Sequence, residues 1–301
     1  MSRRAGWLST TVLSGALIAP ELHSLAYAAD LYTKVPLEAQ KDQLLLPAVD
    51  GINGKAEVLG GSLAGKSVYA TRGAVAIPVG NQFGLQLDGA LGSYDSRGFG
   101  AAAAHGFWRD PSRGLLGLYG SYTSWDQVGG LRLGQFGVEG AAYLGRWTVE
   151  GIAGVESGNN QTVNFGPVIQ TWNIKTRFFD KVDVAYYVND NWRVSAGHRY
   201  LGGNNAAAFG TEYAFNPGWR SGLGMSLFAE ARVGENDYRG IWGGLKFYFG
   251  QRDKTLIQRH RQDDPPIGLP ETLVSLSNNK GNSVIPVTPP PPPPPPPCGE
   301  C

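Results

Sequence analysis

Between Gly54 and Phe249 apolar and polar residues alternate at period two, in blocks of about ten residues separated by clusters of Gly, Pro, Asn and Asp. Successive side chains of a strand point to opposite faces, so each block predicts a strand with one apolar and one polar side. In the third block Phe83, Leu85, Leu87, Gly89 and Leu91 oppose Gln86 and Asp88. In the seventh, Trp147, Val149, Gly151, Ala153 and Val155 oppose Thr148, Glu150 and Glu156, with Ile152 alone out of phase. The last block, Tyr238 to Phe249, puts Ile241, Gly243, Leu245, Phe247 and Phe249 on one face and Trp242, Gly244, Lys246 and Tyr248 on the other. One face suits hydrocarbon and the other water. The pattern therefore predicts an all-β protein, an antiparallel transmembrane β-barrel of about 12 strands, closed by this last block.

The blocks run Lys55 to Leu63, Ser67 to Ile77, Gln82 to Gly92, Gly98 to Trp108, Gly114 to Ser124, Leu131 to Tyr143, Arg146 to Glu156, Asn173 to Val188, Trp192 to Tyr200, Ala206 to Phe215, Ser221 to Val233 and Tyr238 to Phe249. Compact turns and mostly longer, more polar connections alternate between them. Short periplasmic turns and longer outer loops produce that rhythm. Aromatics flank the junctions: Phe83, Trp108, Tyr143, Trp147, Tyr187, Trp192, Phe215, Trp219, Phe247 and Phe249 at one end, and Tyr94, Tyr122, Trp125, Trp172, Tyr200 and Tyr238 at the other. They predict two girdles at the membrane–water boundaries. The competing reading of these aromatics is the core of a soluble β-sandwich.

Composition agrees with a membrane barrel. The 301 residues include 43 Gly, 13 Tyr, 12 Phe and 8 Trp, only 17% are charged, and the formal charge is +1. So balanced a charge gives no footprint for nucleic acid. The glycines follow strand alternation and carry no phosphate-loop Lys-Ser/Thr pair, so no nucleotide cofactor is expected.

Residues 1–28 predict a signal peptide: Arg3 and Arg4, an apolar stretch from Trp7 to Ala19, and Ala26-Tyr27-Ala28 as the small-residue cleavage pattern. Residues 29–53, with Pro36 and Pro47, show no period and are expected to form a periplasmic leader or small plug. From residue 250 the material changes to a charged stretch, a Ser/Asn-rich linker, nine prolines from Pro289 to Pro297 and Cys298-Gly299-Glu300-Cys301. Residues 250–301 are expected to be a low-complexity periplasmic tail, with polyproline as a stiff spacer of about 28 Å. Cys298 and Cys301, the chain's two cysteines, are disulfide candidates in an oxidising periplasm. A tether, or a soft-metal or redox role, is the alternative.

Gly244-Leu245-Lys246-Phe247-Tyr248-Phe249 carries a resemblance: the chain looks like a Gram-negative outer-membrane β-barrel, porin-like in its alternation. Gly244, Phe247 and Phe249 are similar to the closing-strand signal that such proteins present to the barrel-assembly machinery. Trp242 stands where that family usually has a polar residue, and here the signal is internal. The resemblance implies location in the bacterial outer membrane, contact with its lipid, and assembly by that machinery.

Polar positions on the inner face mark the candidate lumen lining: Arg72, Gln86, Asp88, Glu139, Glu150, Lys181, Asp183, Arg193, Arg199, Glu212, Glu230, Arg232 and Lys246. Such a wall either selects small hydrophilic solutes in a pore or forms a self-satisfied network in a filled lumen. The first reading is a porin-like channel. The second is a structural or adhesive barrel whose periplasmic tail binds a partner or the cell wall. No enzyme is expected, because His105 and His198, the barrel's histidines, lie in no nucleophile motif.

Overall fold

The computed structural model describes residues 46–127, 129–164, 168–215, 223–250, 254–263, 271–278 and 280–286. Twelve antiparallel strands close a barrel. They are β1 (Asn53–Leu63), β2 (Lys66–Val79), β3 (Phe83–Tyr94), β4 (Arg97–Asp110), β5 (Gly114–Trp125), β6 (Leu131–Leu144), β7 (Trp147–Gly158), β10 (Arg177–Asn189), β11 (Trp192–Leu201), β12 (Asn204–Phe215), β13 (Leu223–Gly234) and β14 (Arg239–Phe249). Each expected block corresponds to one of these strands with ends shifted by up to four residues; the largest shift is in the eighth, which starts at Arg177 where Asn173 was expected. Two short strands, β8 (Asn160–Asn164) and β9 (Val168–Asn173), form a hairpin between β7 and β10, in a stretch expected to be loop.

Closure is made by β1 and β14, which pair from Gly54 with Phe249 to Leu63 with Gly240. The period-two pattern makes that register costly to slip, because a one-residue shift would put Lys246 and Glu57 into lipid. Close approach of the two backbones needs Gly244: a Cβ there would stand 1.8 Å from the Val58 carbonyl oxygen. With an even number of strands both ends of the barrel chain, Asn53 and Phe249, lie at one rim, the periplasmic one in this architecture. That rim is called lower and the opposite rim upper.

The outward face is apolar. Val58, Leu87, Leu91, Leu118, Phe136 and Val138 are exposed there, while Gln86, Asp88, Glu139 and Lys246 are buried inside. Water would not support such an exterior, which removes the β-sandwich reading. The girdles hold in part. Phe83, Trp147, Trp192, Phe249 and Tyr122 face outward, but Tyr94, Tyr143, Trp125, Trp172, Tyr187 and Tyr238 are buried inside. Nearness to a junction does not decide which face a side chain takes; strand parity does. Trp219 lies outside the described residues.

Described parts of residues 250–301, the expected tail, make contacts inside the barrel and at its upper end. Helix α1 (Leu256–Gln262) begins beside the lower turn, where the Leu256 N–H donates to the Asn191 Oδ1 at 3.1 Å and the Ile257 N–H to the Asp190 carbonyl at 3.1 Å. Its start is set by Thr255, whose backbone N–H donates to the Gln258 side chain at 2.9 Å. Helix α2 (Thr272–Asn278) lies near the upper rim, with the Thr272 and Thr123 hydroxyls 2.7 Å apart and the Ser275 hydroxyl donating to Glu156 at 2.7 Å. A last strand, β15 (Lys280–Pro286), pairs antiparallel with β9 of the upper hairpin, Lys280 opposite Trp172 and Pro286 opposite Val168. The described part of residues 250–301 thus occupies the lumen and reaches the upper end. Helices of seven residues are too short to be stable by themselves, and the barrel supplies the contacts that hold them. The leader joins them at the lower mouth, where Ala48 and Val49 pack against Ala76, Phe107 and Leu115. The signal region 1–28, residues 29–45, the polyproline run, Cys298 and Cys301 lie outside the described residues.

Candidate functional site: the occupied lumen

Inward positions of adjacent strands bring the polar residues into contact. Every expected lumen residue points to the interior. Arg72 pairs with Glu57, and Lys246 holds Glu212 at 2.7 Å and Glu57 at 3.5 Å. Arg193 pairs with Glu150, Arg199 with Asp183 at 2.7 Å, and Arg232 with Glu230 at 2.7 Å. Gln86 donates to Asp88 at 2.7 Å, and His105 sits between Asp88 at 2.9 Å and Glu139 at 2.7 Å. Lys181 lies over the Tyr119 ring, 5.5 Å from its centre.

Much of the interaction comes from the C-terminal segment, which the sequence pattern did not place here. Glu271, just before α2, takes both Arg199, at 3.1 Å, and Arg232 as ion-pair partners. On α1, His260 meets the Tyr187 hydroxyl at 2.9 Å and Glu212 at 3.6 Å. Arg109 donates to the Gln262 and Ala48 carbonyls, tying α1 and the leader to β4. Lys254 closes the lower turn on Asp263 at 2.7 Å and Asp50 at 3.4 Å. At the upper end Leu273, Val274 and Leu276 sit fully buried among Tyr94, Trp125, Leu131, Trp172, Tyr238 and Trp242. Burying such side chains stabilises by roughly 1.5–3 kcal/mol each. Between α1 and α2 a cavity of about 130 Å³ remains, lined by Arg72, Lys181, Arg193, Glu212, His260 and Glu271 among others. That is room for several waters.

Glu57, Glu156, Arg109, His260 and Glu271 were missed as lumen residues. Parity could have found Glu57, two positions from Lys55 on β1. For Glu271 the available signal was a single acid ahead of Leu273, Val274 and Leu276, a pattern that reads equally well as linker. The two barrel histidines separate: His105 is buried with both ring nitrogens on carboxylates, while His198 is on the outer face near the upper rim, facing Asp180 and Asn205. Gly244 faces inward at the closing seam, and Phe249 is exposed on the lipid side at the lower rim.

A closed twelve-strand barrel with an apolar outside and a charged inside is a transmembrane β-barrel of the outer-membrane type, porin-like in architecture and located in the bacterial outer membrane. No protein-family model and no curated protein sequence matches the chain. Among solved structures the KdgM porin is 9% identical, with a TM-score of 0.44 over 65% of this chain and 99% of its own. The COG4313 outer membrane channel from Pseudomonas putida F1 is 11% identical, with a TM-score of 0.47 over 67% of this chain and 95% of its own. The translocator domain of the autotransporter NalP from Neisseria meningitidis is 13% identical, with a TM-score of 0.45 over 67% and 89%. The class assignment rests on the barrel's closure and its two faces.

Proposed function

We propose that the barrel is a channel for small hydrophilic solutes, held closed by its own C-terminal segment. The observation that carries this reading is Glu271, an acid from outside the wall that binds Arg199 and Arg232 of the wall. Removing it from the lumen would leave Arg199 and Arg232 facing the pathway, each beside one wall carboxylate, Asp183 and Glu230, a charged lining of the kind that selects solutes. The cavity between the helices supports the same reading. Buried ion pairs add little net stability over apolar packing, so a wall made of them fits a wetted pathway better than a filler. His105, with both ring nitrogens on carboxylates, argues against catalysis.

The test is conductance in planar bilayers. The full chain is expected to show rare openings, and a chain ending at Gly250 frequent ones, with both showing heat-modifiable migration. A truncated barrel that folds but never conducts would remove the channel and favour the second reading, a structural barrel with a filled lumen. That alternative draws support from the fully buried Leu273, Val274 and Leu276. In either case the outward belt meets outer-membrane lipid, and the closing strand, through Gly244, Phe247 and Phe249, is the proposed signal to the assembly machinery.

A further inference from the structure

We infer that the barrel carries its own C-terminus to the outer surface of the cell, threading the chain through the lumen so that residues 287–301 begin at the upper rim. Three observations on different elements mark the path. At the lower mouth α1 is held by Asp190, Asn191 and the Gln262–Arg109 hydrogen bond. In the upper half Glu271 binds Arg199 and Arg232, and Thr272 touches Thr123 of β5, two residues from its upper end at Trp125. Beyond α2 the described chain stays at the upper end: β15 adds an antiparallel strand to the β8–β9 hairpin, which belongs to the upper connection between β7 and β10.

The physical logic is one of compensation. A strand reaching the rim would leave its backbone N–H and C=O groups without partners, and the edge of β9 satisfies them. The helices below it are too short to persist unaided, so the wall contacts set the direction of the path. Cys298 and Cys301, the chain's two cysteines, follow β15 in the sequence, so on this inference they are reachable from outside the cell. This inference depends on the direction of threading and not on whether the channel conducts.

The experiment uses the native chain in intact cells. After mild reduction with a membrane-impermeant phosphine, a maleimide on a polymer of about 5 kDa, too large for a small barrel, is added from outside. A mass shift of the protein in intact cells, lost in the C298S/C301S variant, is the expected result. A shift that appears only after the outer membrane is disrupted, or only after denaturation, overturns the inference. In the C298S/C301S background, T123C/T272C tests the path itself and is expected to form an intrachain disulfide in cells. A failure of that pair to cross-link in a barrel that remains heat-modifiable also overturns it.

Discussion

At the residue scale two environments a few ångströms apart impose opposite rules on neighbouring side chains. Val138 is exposed to lipid while Glu139, next in β6, is buried against His105. Val138→Arg near the middle of its strand is expected to cost about 2–4 kcal/mol, measured as a lower denaturant midpoint for folding into vesicles. Unchanged folding would contradict the lipid-facing assignment. Inside, Glu271→Ala removes the partner shared by Arg199 and Arg232, each of which keeps one wall carboxylate, Asp183 and Glu230, so a loss of about 3 kcal/mol, the low end for a broken buried pair, is the upper bound expected. That corresponds to a rise of up to roughly a hundredfold in the released form of the plug, read as faster proteolysis of the segment after β14. Equal cleavage rates in variant and parent would show that Glu271 does not hold the segment. Alternation in the wall strands was enough to identify one partner set in such pairs. It was silent on Glu271, because a contact made by a seven-residue helix inside a lumen has no periodic signature.

At the element scale the twelve wall strands were legible because each must solve the same problem, apolar outside and polar inside, with the same period. The elements that were missed, the β8–β9 hairpin, α1, α2 and β15, owe their form to the surroundings. Leu273, Val274, Ser275 and Leu276 are all fully buried, so α2 has no solvent face from which a pattern could be read. The seam between β1 and β14 provides a separate test. Gly244→Ala forces a Cβ into the Val58 carbonyl, so loss of the heat-modifiable form is expected both in cells and in detergent refolding. Phe249→Ala, which alters only the lipid-facing signal position, is expected to reduce assembly in cells and leave detergent refolding intact. Equal behaviour of the two variants in detergent would refute this division between seam and signal.

At the scale of the whole molecule the barrel is a container, and the protein fills it with both of its flanking segments. Ala48 and Val49 enter from the N-terminal side, and α1 and α2 from the C-terminal side. The conductance of the chain ending at Gly250 reports on the container, and the labelling of Cys298 and Cys301 reports on where the contents lead. Sequence by itself determined the wall, its number of strands as about twelve, most of the polar set facing inward and the membrane that the outer face requires, because solvent on each side of a sheet writes a period-two code into every strand. Only the tertiary structure decided that the lumen is occupied, that Glu271 and His260 belong to it, and that the chain runs upward through it. Those facts depend on contacts between residues far apart in the sequence, 149 positions for Thr123 and Thr272 and 153 for Arg109 and Gln262. Burial on all sides erases the local alternation that would have announced them.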